Sequence, residues 1–270
     1  MRVIIISDIE GVAGIVRWEQ TSHDGGELFQ EGRRLYTQEI NAAVRGASAA
    51  GATEIVVMDC HGAGGGYTFN SLIAEDLDAR CEWVVQNRWT EHTAALEQGC
   101  DAALFIGMHA RAGSGAGVLN HTVSAENWYE LRFNGVAVGE TGINAALCGH
   151  WNCPVVLVTG DDVTCVEATE LLGPRLTTVT TKRGLGRFSA RMIHPQIVRE
   201  MIECSSRSAL SDLSSVSPYQ PGRPCAVEVE LLATEDIEPY RGLVGVEVTD
   251  ARSIVSRADS WYAAWRQFYR

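Results

Sequence analysis

Val3-Ile4-Ile5-Ile6-Ser7-Asp8-Ile9-Glu10-Gly11 begins as an unbroken β-branched run and turns abruptly into two carboxylates and a glycine. A strand that is apolar at successive positions offers both faces to a core, as a parallel strand does when helices cover it on each side. Outward from it, Glu27 to about Ala50 is rich in helix formers, free of proline and closed by Gly51. Strands are then expected at Glu54–Met58, Glu82–Val85 and Ala102–Met108, with a helix over Thr90–Gln98 between the last two. Asn134-Gly135 between strand-like flanks predicts a hairpin. Helix over Glu140–Cys148, strand over Pro154–Val158, helix over Val166–Leu172, strand over Leu176–Thr181 and a long helix from Pro195 follow. Alternating strands and helices predict an α/β fold: a mainly parallel sheet with helices on both faces and the hairpin as an antiparallel insertion.

After Ser205 the pattern changes. Ser211–Pro224 is a Ser/Pro-rich connector; Ala226–Leu232 and Leu243–Thr249 alternate as strands, and Asp259–Tyr269 reads as an aromatic-rich helix. We expect an α/β metal-binding catalytic domain over residues 1–205 and a smaller α+β C-terminal domain over 206–270.

Composition narrows the function. Among 270 residues, 22 Lys and Arg stand against 34 Asp and Glu, a net charge of −12. That balance argues against a nucleic-acid partner, which requires clustered cations. No apolar run reaches the roughly 18–20 residues of a membrane span, so no membrane partner is expected. Only Val3 to Ile6 are apolar before Asp8, short of the about 7–15 residues of a secretory signal, which predicts a cytoplasmic protein. The eight cysteines lack paired CxxC spacing and read as small buried hydrophobes.

In a parallel sheet the carboxyl ends of the strands share one edge, where ligands bind. Four expected strands run into Asp8 and Glu10, into Asp59-Cys60-His61, into His109, and into Gly160-Asp161-Asp162. Taken singly, Asp8 and Glu10 read as turn caps and each histidine as a structural one. Glu140 serves as a first-turn acid and Asp161-Asp162 as capping groups. Taken together, one explanation covers the first set: Asp8 and Glu10, two apart in extended backbone, repel unless a cation lies between them. Neutral imidazole with carboxylate is a zinc-type donor set. Asp8, Glu10, His61, His109 and Glu140 exceed what one tetrahedral zinc needs, and a bridging carboxylate would suit a pair of ions. The glycines after His61 match neither a phosphate loop nor, without a Gly-x-Ser-x-Gly elbow, an esterase oxyanion loop. His121 reads as a turn histidine by its position.

Ser7-Asp8-Ile9-Glu10-Gly11-Val12, Asp59-Cys60-His61-Gly62, Gly107-Met108-His109-Ala110, Asn120-His121-Thr122 and Gly139-Glu140-Thr141-Gly142 together resemble the DppA-type zinc D-aminopeptidase family. Gly160-Asp161-Asp162 and Lys182 to Arg187 continue the likeness, to about His194 and more loosely beyond. The resemblance implies two Zn2+ per subunit on Asp8, Glu10, His61, His109 and Glu140, with Asp8 bridging, and a catalytic role for His121. It implies hydrolysis of the N-terminal amide bond of short peptides, D-amino-acid-containing ones in particular. It also implies a homo-oligomer of pentameric rings stacked to a decamer. Departures fall at Arg17–Glu27, Arg111–Gly117 and Ala125–Tyr129, where a substrate pocket would be lined. The alternatives are an amidohydrolase acting on a non-peptide amide or L-configured substrate, and a non-catalytic metal-containing binding module. A phosphohydrolase lacks an evident basic clamp.

Overall fold

A computed structural model describes residues 1–87 and 93–269. Seven strands form the first sheet: β1 (Arg2–Ser7), β2 (Glu54–Asp59), β3 (Glu82–Val84), β4 (Ala102–Met108), β7 (Val155–Asp161), β8 (Thr177–Gly186) and β9 (Ser189–Met192). Their order is β3-β2-β1-β4-β7-β8-β9, and every pairing is parallel except β8 with β9. β1 lies between β2 and β4, with Ser7 opposite both Asp59 and Ile106.

Alternation along β1 divides the core. Val3 and Ile5 face helices α1 (Glu27–Ala49) and α5 (Pro195–Ala209), packing with Tyr36, Ile40, Val198 and Ile202. Ile4 and Ile6 face the other way, toward Ile143 and Leu147 of α3 (Glu140–His150) and Ala168 of α4 (Asp162–Leu172). The α/β expectation, parallel sheet with helices on both faces, is what the chain adopts.

The hairpin is made by β5 (Trp128–Phe133) and β6 (Val136–Val138), with Asn134 and Gly135 at φ of 48° and 81°. Two successive positive φ values are what a two-residue hairpin turn demands. Its strands do not enter the parallel sheet. They join β10 (Cys225–Leu231), β11 (Val246–Val248) and β12 (Ser253–Ala258) in a five-stranded antiparallel sheet, ordered β11-β12-β10-β5-β6. The C-terminal strands thus share a sheet with a segment from within residues 1–205. Trp261 and Trp265, on α6 (Trp261–Trp265), share a core with Phe105 of β4 and Phe133.

Several boundaries differ from the sequence reading. Helix α6 is five residues rather than the whole of Asp259–Tyr269. β8 continues past Thr181 to Gly186 because β9 pairs with its second half. Of the helix expected over Thr90–Gln98, α2 (Ala94–Glu97) is present; residues 88–92 lie outside those described. No helix among the described residues is long and apolar enough to cross a membrane.

Candidate metal centre

Asp8, His61 and His109 stand just past the carboxyl ends of β1, β2 and β4, three adjacent parallel strands. Asp8 and Glu10 converge through a turn, not through strand alternation. β1 ends at Ser7, the amide of Val12 donates to the Ile9 carbonyl at 3.1 Å, and the Gly11 amide donates to the Gly107 carbonyl at 2.8 Å. Gly11 is required there, since a Cβ on it would lie 1.9 Å from the Met108 carbonyl oxygen. Glu140 is the first residue of α3, and His121 comes from the loop between β4 and β5.

These elements bring all six predicted residues together. Asp8 turns one oxygen to each of two imidazoles: Oδ1 lies 3.2 Å from His61 Nδ1 and Oδ2 lies 3.4 Å from His109 Nε2. Glu10 Oε2 is 3.3 Å from His61 Nδ1, and Glu140 Oε1 is 3.2 Å from His109 Nε2 and 3.6 Å from His121 Nε2. The His109 and His121 rings stack with centres 4.0 Å apart.

Each histidine commits its other nitrogen to a backbone carbonyl: His61 Nε2 to Thr21 at 2.7 Å, His109 Nδ1 to Ala110 at 3.0 Å, and His121 Nδ1 to Leu119 at 2.9 Å. A carbonyl only accepts, so that nitrogen donates and the opposite one faces the carboxylates, as metal-bound histidines are oriented.

Electrostatics point the same way. Burial pushes the Asp8 carboxyl up, but His109 and His61 outweigh it and hold it well below the ordinary carboxylate range. Burial likewise opposes charge on His61 and His109. Glu10 and Asp8 raise the first well above the usual imidazole value, and Glu140 and Asp8 raise the second. Buried carboxylates so arranged demand positive charge among them. Glu10 Oε2 and His109 Nε2 are nevertheless buried with no hydrogen-bond partner, their close approaches lacking hydrogen-bond direction. Two sets of donor atoms converge within 4.8 Å of one another: Asp8, Glu10, His109, and His109, His121, Glu140. An orphaned nitrogen and oxygen inside such a cluster fit a divalent cation.

Around the cluster, Asp59 Oδ1 accepts from the His61 amide and the Tyr36 hydroxyl, each at 3.0 Å. Asp161 caps α4 through Thr164 and accepts the Val118 amide at 2.6 Å; Asp162 accepts the Gly184 amide. Asp161 is the capping group that the sequence suggested, whereas Asp162 braces β8 instead.

Two residues were given no role of their own by the sequence. Lys182, with no solvent exposure, donates to the carbonyls of Glu10, Val12 and Ile15 at 2.5–2.8 Å and so ties down the Asp8–Glu10 turn. A lysine closing a β-branched, threonine-rich strand run was the available signal. Asn144 lies one helical turn after Glu140 on α3; it is 5% exposed and lines the same cavity as Asp8, Glu10 and Glu140. Its four-residue spacing from Glu140 placed both on one helix face.

That cavity, about 620 Å³, is lined by the carboxylate–imidazole cluster together with Trp18, Phe69, Arg187, Trp261 and Trp265. Parallel-sheet architecture with a buried carboxylate–imidazole cluster at the strand ends, opening on such a cavity, defines the class of metal-dependent α/β hydrolases. Within it, the chain belongs to the peptidase M55 family of D-aminopeptidases, whose profile matches residues 1–269. It is similar to a D-aminopeptidase from Bacillus subtilis (strain 168), 28% identical over 259 residues, covering 94% of this chain and 90% of that one. A solved structure, described as the Zn-dependent D-aminopeptidase DppA from Bacillus subtilis, a self-compartmentalizing protease, superposes with a TM-score of 0.90 at 26% identity. The match covers 99% of this chain and 95% of that one.

Proposed function

We propose that this metal-dependent D-aminopeptidase holds two zinc ions and cleaves the N-terminal amide bond of short peptides. Asp8, Glu10, His61, His109 and Glu140 are the proposed ligands, with Asp8 shared between the ions and His121 catalytic. The observation that carries this is the division of Asp8, one oxygen toward His61 beside Glu10 and the other toward His109 beside Glu140.

Zinc at such a site supplies Lewis acidity, polarising the scissile carbonyl and making water nucleophilic at neutral pH. The protein holds the cluster rigid: Lys182 fixes the turn, Asp59 fixes His61, and Glu140 Oε1 also accepts the Val123 amide at 2.8 Å. His121 is the proton carrier in this reading. Its Nδ1–H is held by Leu119, so Nε2 takes a proton and returns it to the leaving amine. Burial, reinforced by the neighbouring His109, lowers its pKa and keeps Nε2 free to accept.

A cytoplasmic location and a homo-oligomer of pentameric rings stacked to a decamer are proposed with it. The description of the structural neighbour as self-compartmentalizing supports the oligomer.

Chelator-stripped protein should lose hydrolysis of D-alanyl p-nitroanilide and recover it with zinc, with the L-alanyl compound cleaved far more slowly. Metal analysis should return two zinc ions per chain. Full activity without any divalent ion overturns the proposal.

A further inference from the structure

One fully charged cationic side chain in the cavity lining lies outside the metal cluster. It is Arg187, exposed in the turn between β8 and β9. Its guanidinium lies 5.6 Å from the ring centre of Trp18 and 5.6 Å from that of Phe188. Its own carbonyl accepts the Leu119 amide at 2.7 Å, which ties it to the loop carrying His121. No carboxylate among the described residues comes within ion-pair distance of it, and apart from the histidines no other cationic side chain lines the cavity. An arginine held on aromatic faces keeps its N–H edge free for a planar anion.

We infer that Arg187 binds the free C-terminal carboxylate of the substrate, so that the enzyme selects peptides ending one or two residues past the scissile bond. The inference deepens the aminopeptidase reading and rests on it for the identity of the substrate. Trp18 is the spacer: its ring centre is 5.6 Å from the guanidinium and 5.5 Å from the His121 ring, so the guanidinium and that imidazole are no farther apart than the two distances added together. A carboxylate pairs with a guanidinium at N···O of about 2.8 Å. Each extended residue spans about 3.3–3.6 Å. One or two residues therefore bridge a carbonyl beside His121 and a carboxylate on Arg187; a longer extended peptide overruns it. Asn144 supports a polar occupant independently. Its amide has no hydrogen-bond partner among the described residues, and it both donates and accepts, as a peptide group requires.

The test is calorimetric binding to the zinc-loaded enzyme. The probe is a D-alanyl-glycine analogue with its scissile CO–NH replaced by CH2–NH, supplied as the free acid and as the C-terminal amide. Wild type should bind the acid about ten- to a hundredfold more tightly than the amide, the range for a hydrogen bond to a charged group. Arg187→Ala should abolish that ratio, and Arg187→Lys, a point charge without the fork, should retain part of it. A purely structural stack on Trp18 would weaken both ligands together and leave the ratio intact, which overturns the inference. So does a wild-type enzyme that binds neither ligand or does not distinguish them. If the ratio depends on Arg187 but the zinc enzyme fails to hydrolyse D-alanyl-glycine itself, the carboxylate site stands and the aminopeptidase reading falls.

Discussion

Lys182 donates its ammonium to the backbone carbonyl of Glu10 at 2.5 Å, from a position that water does not reach. Two further carbonyls, of Val12 and Ile15, complete its hydrogen bonding, while burial lowers its pKa to about 8 against the pull of Asp161, Glu39 and Glu10. A buried cation under the turn that presents Asp8 and Glu10 shapes the cluster without touching a substrate.

Lys182→Met should therefore loosen the turn and leave three buried carbonyls unpaired. Zinc affinity, measured by competition with a chromophoric chelator, is expected to fall by about ten- to a hundredfold, as for outer groups of other metal sites. The melting temperature should fall with it. Unchanged affinity would mean that the turn holds its shape without the ammonium.

His121→Ala removes the proposed proton carrier while leaving the five proposed ligands in place. Turnover of a D-alanyl substrate should drop by about 10²–10⁴-fold, with two zinc ions still found by elemental analysis. Loss of one ion would instead assign His121 to the ligands, a role its place in the His109–Glu140 cluster allows. Unchanged turnover would remove it from the mechanism.

Glu39 yields a pH prediction. It is buried in α1, its Oε1 accepting the Ala13 amide while Oε2 has no partner, and burial raises its pKa from 4.5 to about 7. Between those values the folded state binds more protons than the unfolded chain, so its contribution to stability declines as pH rises through that window. Glu39→Gln carries no charge there. Its melting temperature relative to wild type should rise between pH 5 and pH 8, by the equivalent of up to about 3 kcal/mol. A difference that is flat with pH would show Glu39 ionised throughout.

Asn144→Leu should separate stability from activity. The Asn144 amide atoms line the cavity and are not among the buried atoms left without a partner, so the substitution should change stability by less than about 1 kcal/mol. If the amide holds the substrate peptide, kcat/KM should fall at least tenfold. A variant that is equally active would leave Asn144 without a part in binding.

Much of the framework was legible in the chain. Runs such as Val3–Ile6 and Ala102–Met108 are buried on both faces and announce themselves without tertiary information. The Asn134-Gly135 turn is decided by backbone sterics alone. β9 and β12 were not legible. Ser189–Met192 and Ser253–Ala258 mix Ser and Arg into short segments, and they are strands because β8 and β10 supply hydrogen-bonding edges. The shortness of α6 was equally hidden, its aromatic residues being held by packing on Trp128 and Phe133 rather than by helix periodicity.

What the amino-acid order determined by itself was local: which segments are strands buried on both sides, and that acidic and imidazole groups follow them. Hydrophobic periodicity and strand direction are properties of a few consecutive residues, and parallel strands deliver whatever follows them to one edge. What only the tertiary structure decided was long-range. It stacked His121 against His109, set Lys182 under Glu10, placed Arg187 across a tryptophan from the cluster, and joined the hairpin to the C-terminal strands. Each of these depends on how loops and sheets close in space, where residues far apart in the chain become neighbours through packing that no sequence period encodes.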